Sequence, residues 1–193
     1  MAEVKVLIKG YASELKNGWT ASSTTTFIES NGKKIIVDPG CNRKNLLDSL
    51  KRVGLHTNDI DLVVLTHMHP DHSLLCGIFE NAKVLTPTEI YDNDKQVEQK
   101  DKIEGTDIKI MLTPGHVPEH ISLVVPTSDG IVVVAGDNFW WGDNEEQKVD
   151  INKEDAAHPT ETDMDELVKS RKKILKIADW VIPGHGKMFR VEK

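Results

Sequence analysis

The sequence predicts a mixed α/β domain with many short strands. Three observations favour this class: short apolar runs of strand-like composition recur along the chain, two segments carry apolar residues at helical spacing, and turn residues separate these segments. Strands and helices do not alternate one for one, so a regular βαβ array is not predicted. A length of 193 residues fits one domain, which we expect to span residues 1–193.

The first strands are predicted near the N-terminus. Residues 4–9 alternate between apolar and polar side chains with a period of two, and residues 24–30 are rich in Thr, Phe and Ile. The pair Asn31-Gly32 favours a tight hairpin turn that leads into a strand at residues 34–37.

Two helices are predicted, each with one apolar face. The first begins after Asn42, a favourable N-cap residue, and ends at Gly54, because glycine readily adopts the left-handed conformation that terminates helices. The second runs from about residue 162 to 177. The apolar residues at helical spacing are Leu46, Leu47, Leu50 and Val53 in the first helix and Leu167, Ile174, Leu175 and Ile177 in the second.

The remaining regular segments are predicted as short strands, at residues 62–65, 83–86, 108–112, 121–125, 131–135 and 180–182. Residues 139–161 form one long, acidic and polar segment without a regular pattern. Irregular segments of that length in a compact domain are often functional lids or mobile insertions, and we expect one of these here.

Composition narrows the functional classes. The chain has 38% hydrophobic residues, which is typical of a soluble globular protein. It carries 24 basic and 31 acidic residues, and the resulting formal net charge of −7 disfavours a protein that binds nucleic acid nonspecifically. The longest apolar runs are too short to cross a bilayer, and the N-terminus lacks a basic segment followed by an apolar one. We therefore expect a cytoplasmic protein without a membrane partner, whose Cys41 and Cys76 are reduced.

Histidine and aspartate side chains cluster just after the predicted strands. Five of the eight histidines lie in such positions, and two aspartates accompany them. Imidazole nitrogens and carboxylate oxygens are the ligands that zinc and similar divalent ions take in open sites, so a metal site is predicted where these turns meet. The set is His67, His69, Asp71, His72, His116, Asp137 and His185.

The segment His67-Met68-His69-Pro70-Asp71-His72 resembles the His-x-His-x-Asp-His signature of the metallo-β-lactamase superfamily. The superfamily's other motifs are matched by Asp38 in Val-Asp-Pro-Gly, His116 in Thr-Pro-Gly-His, Asp137 in Ala-Gly-Asp and His185 in Pro-Gly-His-Gly. The resemblance implies a single-domain, four-layer αββα sandwich with a dinuclear metal site at one edge. Within the superfamily, residues 169–191 look most like metallo-β-lactamase domain-containing protein 1, and residues 113–120 look like glyoxalase II and related thioesterases.

The resemblance also implies a role for each site residue. Two divalent ions are expected, Zn²⁺ first, with iron or manganese as alternatives. Asp38 would fix a ligand imidazole, and His120 is expected to be a hydrogen-bonded partner rather than a ligand. The implied ligands are His67, His69 and His116 for the first ion, Asp71, His72 and His185 for the second, and Asp137 between them.

The expected reaction is hydrolysis. A hydroxide that bridges the two metals would attack an ester, thioester or lactone carbonyl, while Asp71 orients the water and takes up its proton. The alternatives are a phosphodiesterase, in particular a ribonuclease that acts on RNA, a β-lactamase side activity, and a metal-bound scaffold without enzymatic activity. A homodimer remains open.

Three tryptophans and one basic run are further candidates. Trp140 and Trp141 follow Asp137, and either one of them packs in the core or both form an apolar wall over the substrate. Trp19 is predicted to belong to a mobile flap. The basic run at residues 169–173 is expected to be a solvated helix face rather than an RNA-binding strip, and His158 is expected to be solvated.

Overall fold

The computed structural model describes residues 1–155 and 160–192 and consists of two β-sheets packed face to face, with helices on their outer sides. Helices α1, α2 and α3 span Arg43–Arg52, Pro70–Ser73 and Met164–Ile177. In the described ranges the strands are β1 Glu3–Ile8, β2 Tyr11–Leu15, β3 Gly18–Ser22, β4 Thr25–Ser30, β5 Lys33–Val37, β6 Leu62–Val64, β7 Lys83–Leu85, β8 Glu89–Asp92, β9 Lys95–Glu98, β10 Lys109–Leu112, β11 Ile121–Thr127, β12 Gly130–Trp140, β13 Trp180–His185 and β14 Phe189–Arg190.

The strands form two large sheets and one separate hairpin. The first sheet has the order β1-β4-β5-β6-β7-β8-β9, and the second has the order β10-β11-β12-β13-β14. Within the described residues, strands β2 and β3 pair only with each other. The pairs β5–β6, β6–β7 and β12–β13 are parallel, so their carboxyl ends lie at the same edge of each sheet.

Successive side chains of each strand point to opposite faces of its sheet, so each sheet contributes to the core between the sheets and to the core under the helices. In β5, Ile35 and Val37 face the opposite sheet, whereas Ile36 packs with the apolar side of α1. In β12, Val134 belongs to the core between the sheets, and Val133 packs with Ile174 of α3. Each sheet thus buries both faces, and the four-layer αββα sandwich that the resemblance implies is confirmed.

The two predicted helices are present with boundaries shifted by one or two residues. The side chain of Asn42 accepts a hydrogen bond from the Asn45 amide at 3.2 Å, and α1 ends at Arg52 rather than at Gly54. Asp163 caps α3 by accepting a hydrogen bond from the Glu166 amide. Of the helices that the structure describes, none is long and apolar enough to cross a membrane.

Strands β12 and β13 are longer than predicted. They were expected to end at residues 135 and 182, but their parallel ladder continues to Trp140 and His185 through register shifts around Gly136. A bulge of this kind keeps strands paired while it redirects side chains, so Asp137 and His185 lie within the paired strands and not in turns that follow them. The hairpins β2–β3 and β8–β9 were not predicted, because most of their residues are exposed and carry no period-two apolar pattern.

Candidate metal centre and its pocket

The candidate ligands come together from five segments of the chain. The buried strand β6 leads into the turn that carries His67 and His69, and α2 adds Asp71 and His72. The loop after β10 carries His116, while β12 and β13 contribute the two remaining side chains. The ligand atoms form two groups whose members lie within 4.8 Å of one another, His67, His69, His116 and Asp137 in one and Asp71, His72 and His185 in the other.

The first group has the shape of a tetrahedral metal site. Nδ1 of His69 lies 3.0 Å from Nε2 of His67 and 3.0 Å from Nε2 of His116. Oδ2 of Asp137 lies 3.9 Å from the His67 nitrogen and 3.5 Å from the His116 nitrogen. Donor atoms about 2.0–2.1 Å from one tetrahedral ion stand roughly 3.4 Å apart, so this donor set fits a single ion.

The second group shares Asp137 with the first. Oδ1 of Asp137 lies 3.2 Å from Nε2 of His72 and 3.7 Å from Nε2 of His185. Oδ2 of Asp71 lies 3.1 Å from the same His185 nitrogen. Gly184 leaves room for this carboxylate, since a Cβ there would lie 1.7 Å from Asp137 Oδ1. Each oxygen of Asp137 therefore faces a different group.

Two atoms of the second group lack hydrogen bonds. Nε2 of His72 and Oδ1 of Asp137 are buried, and although they lie 3.2 Å apart, neither has hydrogen-bond geometry with the other or with any further residue in the described parts of the chain. Burying polar atoms without partners costs free energy, which a bound cation would offset. The residues present thus fit a pair of divalent ions.

The electrostatics of the site favour the ligand forms of several side chains. Burial would raise the pKa of Asp137, but the neighbouring imidazoles of His72 and His185 hold it well below its ordinary value. Burial also opposes ionisation of Asp71, and its hydrogen bond with His185 lowers its pKa nonetheless. Burial and the neighbouring His72 lower the pKa of His67 well below the usual value, so its ring is neutral. Ionised carboxylates and neutral imidazoles are the forms that bind metal ions.

Asp38 hydrogen-bonds to His72 on the side of the ring that faces away from the second group, as the resemblance implies. Its Oδ2 accepts hydrogen bonds from Nδ1 of His72 at 2.9 Å and from Oγ1 of Thr66 at 2.7 Å, and its Oδ1 accepts from the Thr66 amide at 2.8 Å. The proton on Nδ1 leaves Nε2 of His72 directed into the second group. Burial lowers the pKa of His72, but the carboxylates of Asp137 and Asp38 outweigh it and raise that pKa well above its usual value.

His120 lies beside the site and is not in either ligand group. Its ring stacks on that of His67 with centroids 5.1 Å apart. Its Nδ1 lies 3.0 Å from Oγ1 of Thr113 and 3.0 Å from Nδ2 of Asn138. Burial, together with the nearby His116, lowers its pKa well below the usual value. This geometry agrees with a structural partner of the ligands.

Asp155 is a site residue that the sequence did not reveal. Its side chain is fully buried, and Oδ2 accepts a hydrogen bond from Nδ1 of His116 at 2.5 Å. Its Oδ1 accepts a hydrogen bond from Nε1 of Trp140 at 3.1 Å. One carboxylate thus connects a candidate ligand to the wall of the adjacent pocket.

Glu161 is the second residue that the sequence did not reveal. Its Oε2 lies 3.1 Å from Nε2 of His69, whose Nδ1 faces the first group. Both Glu161 and Asp155 lie in the long acidic segment at residues 139–161, and its excess of carboxylates was the only signal in the sequence. His158 of that segment lies outside the described residues.

A pocket of about 300 Å³ opens beside the second group. Three of its lining residues, Asp71, Asp137 and His185, are candidate ligands. The rest of the lining is apolar except for one thiol and consists of Ala12, Trp19, Ala21, Cys41, Pro70, Leu74 and Trp140.

The structure separates the two adjacent tryptophans. Trp140 lines the pocket. Trp141 is buried and packs against Phe139 and Phe189 on the α3 side of the second sheet. The prediction that Trp141 also forms the wall is therefore wrong, because successive residues at the end of a strand face opposite sides.

The basic run at residues 169–173 is not a continuous exposed face. Arg171 is 2% exposed and donates hydrogen bonds to the carbonyl oxygens of Asn138 at 2.7 Å, Ile151 at 3.1 Å and Lys153 at 2.6 Å. The expectation of a solvated face is wrong for this residue, since Arg171 lies four positions after Leu167 and shares its buried side of the helix.

Comparisons with known proteins show the family to which the chain belongs. A model of the "Metallo-beta-lactamase superfamily" matches residues 18–84. Metallo-beta-lactamase domain-containing protein 1 of Xenopus laevis is 34% identical over 98% of this chain and 82% of its own length, and a "Probable metallo-hydrolase" of Methanocaldococcus jannaschii is 32% identical over 77% and 68%. A metallo-beta-lactamase family protein of Thermus thermophilus superimposes with a TM-score of 0.67 at 17% identity, over 97% of this chain and 75% of that one. The chain belongs to the metallo-beta-lactamase superfamily.

Proposed function

We propose that this protein is a dinuclear metal-dependent hydrolase that cleaves an ester, thioester or lactone. The observation that carries the proposal is the position of Asp137, whose two oxygens face separate groups of donors beside an apolar pocket. Such a pair of sites suits hydrolysis of a small molecule whose scissile carbonyl reaches the donors from the pocket.

The donor types suit zinc, with iron or manganese as alternatives. When bound, two such ions would acidify a water molecule and polarise the carbonyl of the substrate. The residues that would hold them are His67, His69 and His116 for one ion, Asp71, His72 and His185 for the other, and Asp137 for both.

The protein's own side chains have distinct tasks in this proposal. Asp71 is an ionised carboxylate at the pocket wall, so it can accept a hydrogen bond from the attacking water and then take its proton. The water oxygen forms a bond to the carbonyl carbon, the carbon–oxygen or carbon–sulfur bond breaks, and the leaving oxygen or sulfur takes up the proton that Asp71 received from the water. Asp38 keeps His72 in one orientation, and Trp140 keeps bulk water from the reacting carbonyl.

The test is a substrate panel with metal-loaded protein. We expect turnover of at least one small ester, thioester or lactone, and a loss of at least 100-fold in kcat/KM after chelation or in a His116→Ala variant. His56→Ala is the matched control, because His56 is exposed and belongs to neither ligand group, and it should retain activity. Circular dichroism shows whether each variant is folded. Protein that binds two ions and hydrolyses no member of the panel contradicts the proposal.

Cleavage of RNA is the alternative, and the charge around the pocket favours it less. Phosphodiester backbones are bound chiefly through Lys and Arg side chains. Among the residues described, none of those that line the pocket is Lys or Arg, and Arg171 is buried. The panel should include a single-stranded oligouridylate, and its cleavage by the wild type but not by His116→Ala would favour the alternative.

A further inference from the structure

We propose that the pocket beside the second ligand group binds an uncharged apolar substituent of the substrate between Trp19 and Trp140. The protein would thereby select neutral acyl or alkyl groups over anionic ones. This inference rests on the proposed hydrolytic function and names the substrate class of the same site.

The walls of the pocket come from different elements. The hairpin β2–β3 supplies Ala12, Trp19 and Ala21, β12 supplies Trp140, and Leu74 follows α2. The two alanines leave space beside the indole rings. A volume of about 300 Å³ is at the lower end of the range for small-molecule sites, so the pocket suits a short chain or a single ring.

The walls that face away from the ligand groups offer no ionic partner. Cys41 is the one polar side chain there among the described lining residues, and its thiol donates to the carbonyl oxygen of Ala21 at 3.1 Å. Lys153 lies with Nζ 4.5 Å from the centroid of the Trp140 ring, but it donates to the Trp140 carbonyl at 2.9 Å and pairs with Glu145 at 3.0 Å. An anionic substituent would therefore enter without a free cation to receive it, which costs free energy.

An apolar substituent would instead cover exposed apolar surface. Trp19 is 52% exposed and Leu74 is 66% exposed, although both line the pocket. Contact with a bound alkyl or aryl group removes part of this surface from water, which is favourable in proportion to the area buried.

The base of the hairpin that carries Trp19 is held beside the second ligand group. Nδ1 of His185 donates to the Tyr11 carbonyl at 3.0 Å, and the Ser23 amide donates to the Asp71 carbonyl at 3.0 Å. The Asp143 amide donates to the Ala12 carbonyl at 2.8 Å from the other side. These bonds hold the base of the hairpin, where Ala12 pairs with Ala21, whereas Trp19 lies nearer the tip opposite Glu14. The two alanine walls are therefore in place before a substrate binds.

Binding of neutral probes tests the inference independently of hydrolysis. Metal-loaded protein is titrated calorimetrically with straight-chain amides from propanamide to octanamide. We expect affinity to rise about fourfold per methylene until the pocket is full. Hexanamide should bind at least tenfold more tightly than the amide of the same length that ends in a carboxylate.

Two variants assign the effect to the pocket. Trp19→Ala should reduce the gain per methylene to less than twofold without changing metal affinity. Leu15→Ala is the matched control, because Leu15 is exposed on the same hairpin and does not line the pocket, and it should behave as the wild type. Leu74→Arg introduces a cation at the wall and should reduce the preference for hexanamide over its carboxylate analogue to below threefold.

The outcomes separate this inference from the proposed function. An affinity that does not depend on chain length, or tighter binding of the anionic amide, overturns the inference. So does oligouridylate binding that Trp19→Ala abolishes, since the indole would then stack on bases. If the amides bind as expected while no ester, thioester or lactone is hydrolysed, the inference holds and the proposed reaction fails.

Discussion

At the scale of single residues, carboxylates determine how the imidazoles face the centre. Asp38 accepts a hydrogen bond from Nδ1 of His72, and Asp155 accepts one from Nδ1 of His116. In each ring the other nitrogen, Nε2, then faces Asp137. Partners of this kind fix the tautomer and the orientation of a ligand and raise its basicity.

We expect Asp155→Asn to weaken metal binding by about 10- to 100-fold, because the neutral amide no longer holds the His116 ring as a charged acceptor does. The measurement is a competition titration against a chromophoric chelator. Asp150→Asn is the matched control, since Asp150 is an exposed carboxylate of the same loop. Equal metal affinities of the two variants would contradict this role for Asp155.

At the scale of elements, α3 holds the loop that carries Asp155. The guanidinium of Arg171 binds the carbonyl oxygens of Ile151 and Lys153 in that loop and of Asn138 in β12. The loop has no helix or strand between residues 141 and 155. The guanidinium of Arg171 therefore satisfies carbonyl oxygens that regular secondary structure would otherwise pair. The position of the buried carboxylate therefore depends on a helix at the outer face of the second sheet.

Replacing Arg171 with methionine should lower the free energy of unfolding by about 3 kcal/mol, since three buried carbonyl oxygens lose a charged donor. Urea denaturation measures the change. Lys172→Met on the exposed side of the same helix should stay within about 0.5 kcal/mol of the wild type. Limited proteolysis should cut the loop faster in Arg171→Met only, and identical stability of both variants would contradict the anchoring role.

At the scale of the whole molecule, the sandwich brings distant segments together at one edge. Strands β6 and β12 belong to different sheets, yet His67, which follows β6, lies 3.9 Å from Asp137 of β12. Ions bound there would join the two sheets. Metal binding should therefore stabilise the entire domain rather than one loop.

We expect saturation with metal at about 1,000 times the dissociation constant to stabilise the fold by about 4 kcal/mol. For a chain of this size the corresponding rise in Tm is about 10 °C. Thermal unfolding followed by circular dichroism, with and without a chelator, measures it. His56→Ala should show the same rise and Asp137→Asn a much smaller one. A Tm that is unchanged while two ions bind would contradict a centre that joins the sheets.

Much of the architecture follows from local patterns. The Asn42 cap, the apolar spacing of the two helices and the run at residues 62–65 predicted elements that the structure contains. The hairpins β2–β3 and β8–β9 were missed because their side chains are mostly exposed, so burial imposed no pattern on them. The ends of β12 and β13 were missed because a bulge, which depends on the partner strand, continues the ladder.

The sequence by itself determined the mixed α/β class and the set of seven clustered side chains, because strand periodicity and ligand chemistry are properties of short segments. The αββα arrangement of the layers was implied by the resemblance of the motifs to the superfamily. Only the tertiary structure decided that Asp155 and Glu161 contact ligand imidazoles, that Trp140 faces the pocket while Trp141 does not, and that Arg171 is buried. The physical reason is that these contacts join residues far apart in the chain, and their geometry is set by how the sheets and α3 pack. A carboxylate in an acidic loop has the same local sequence whether it faces water or a histidine.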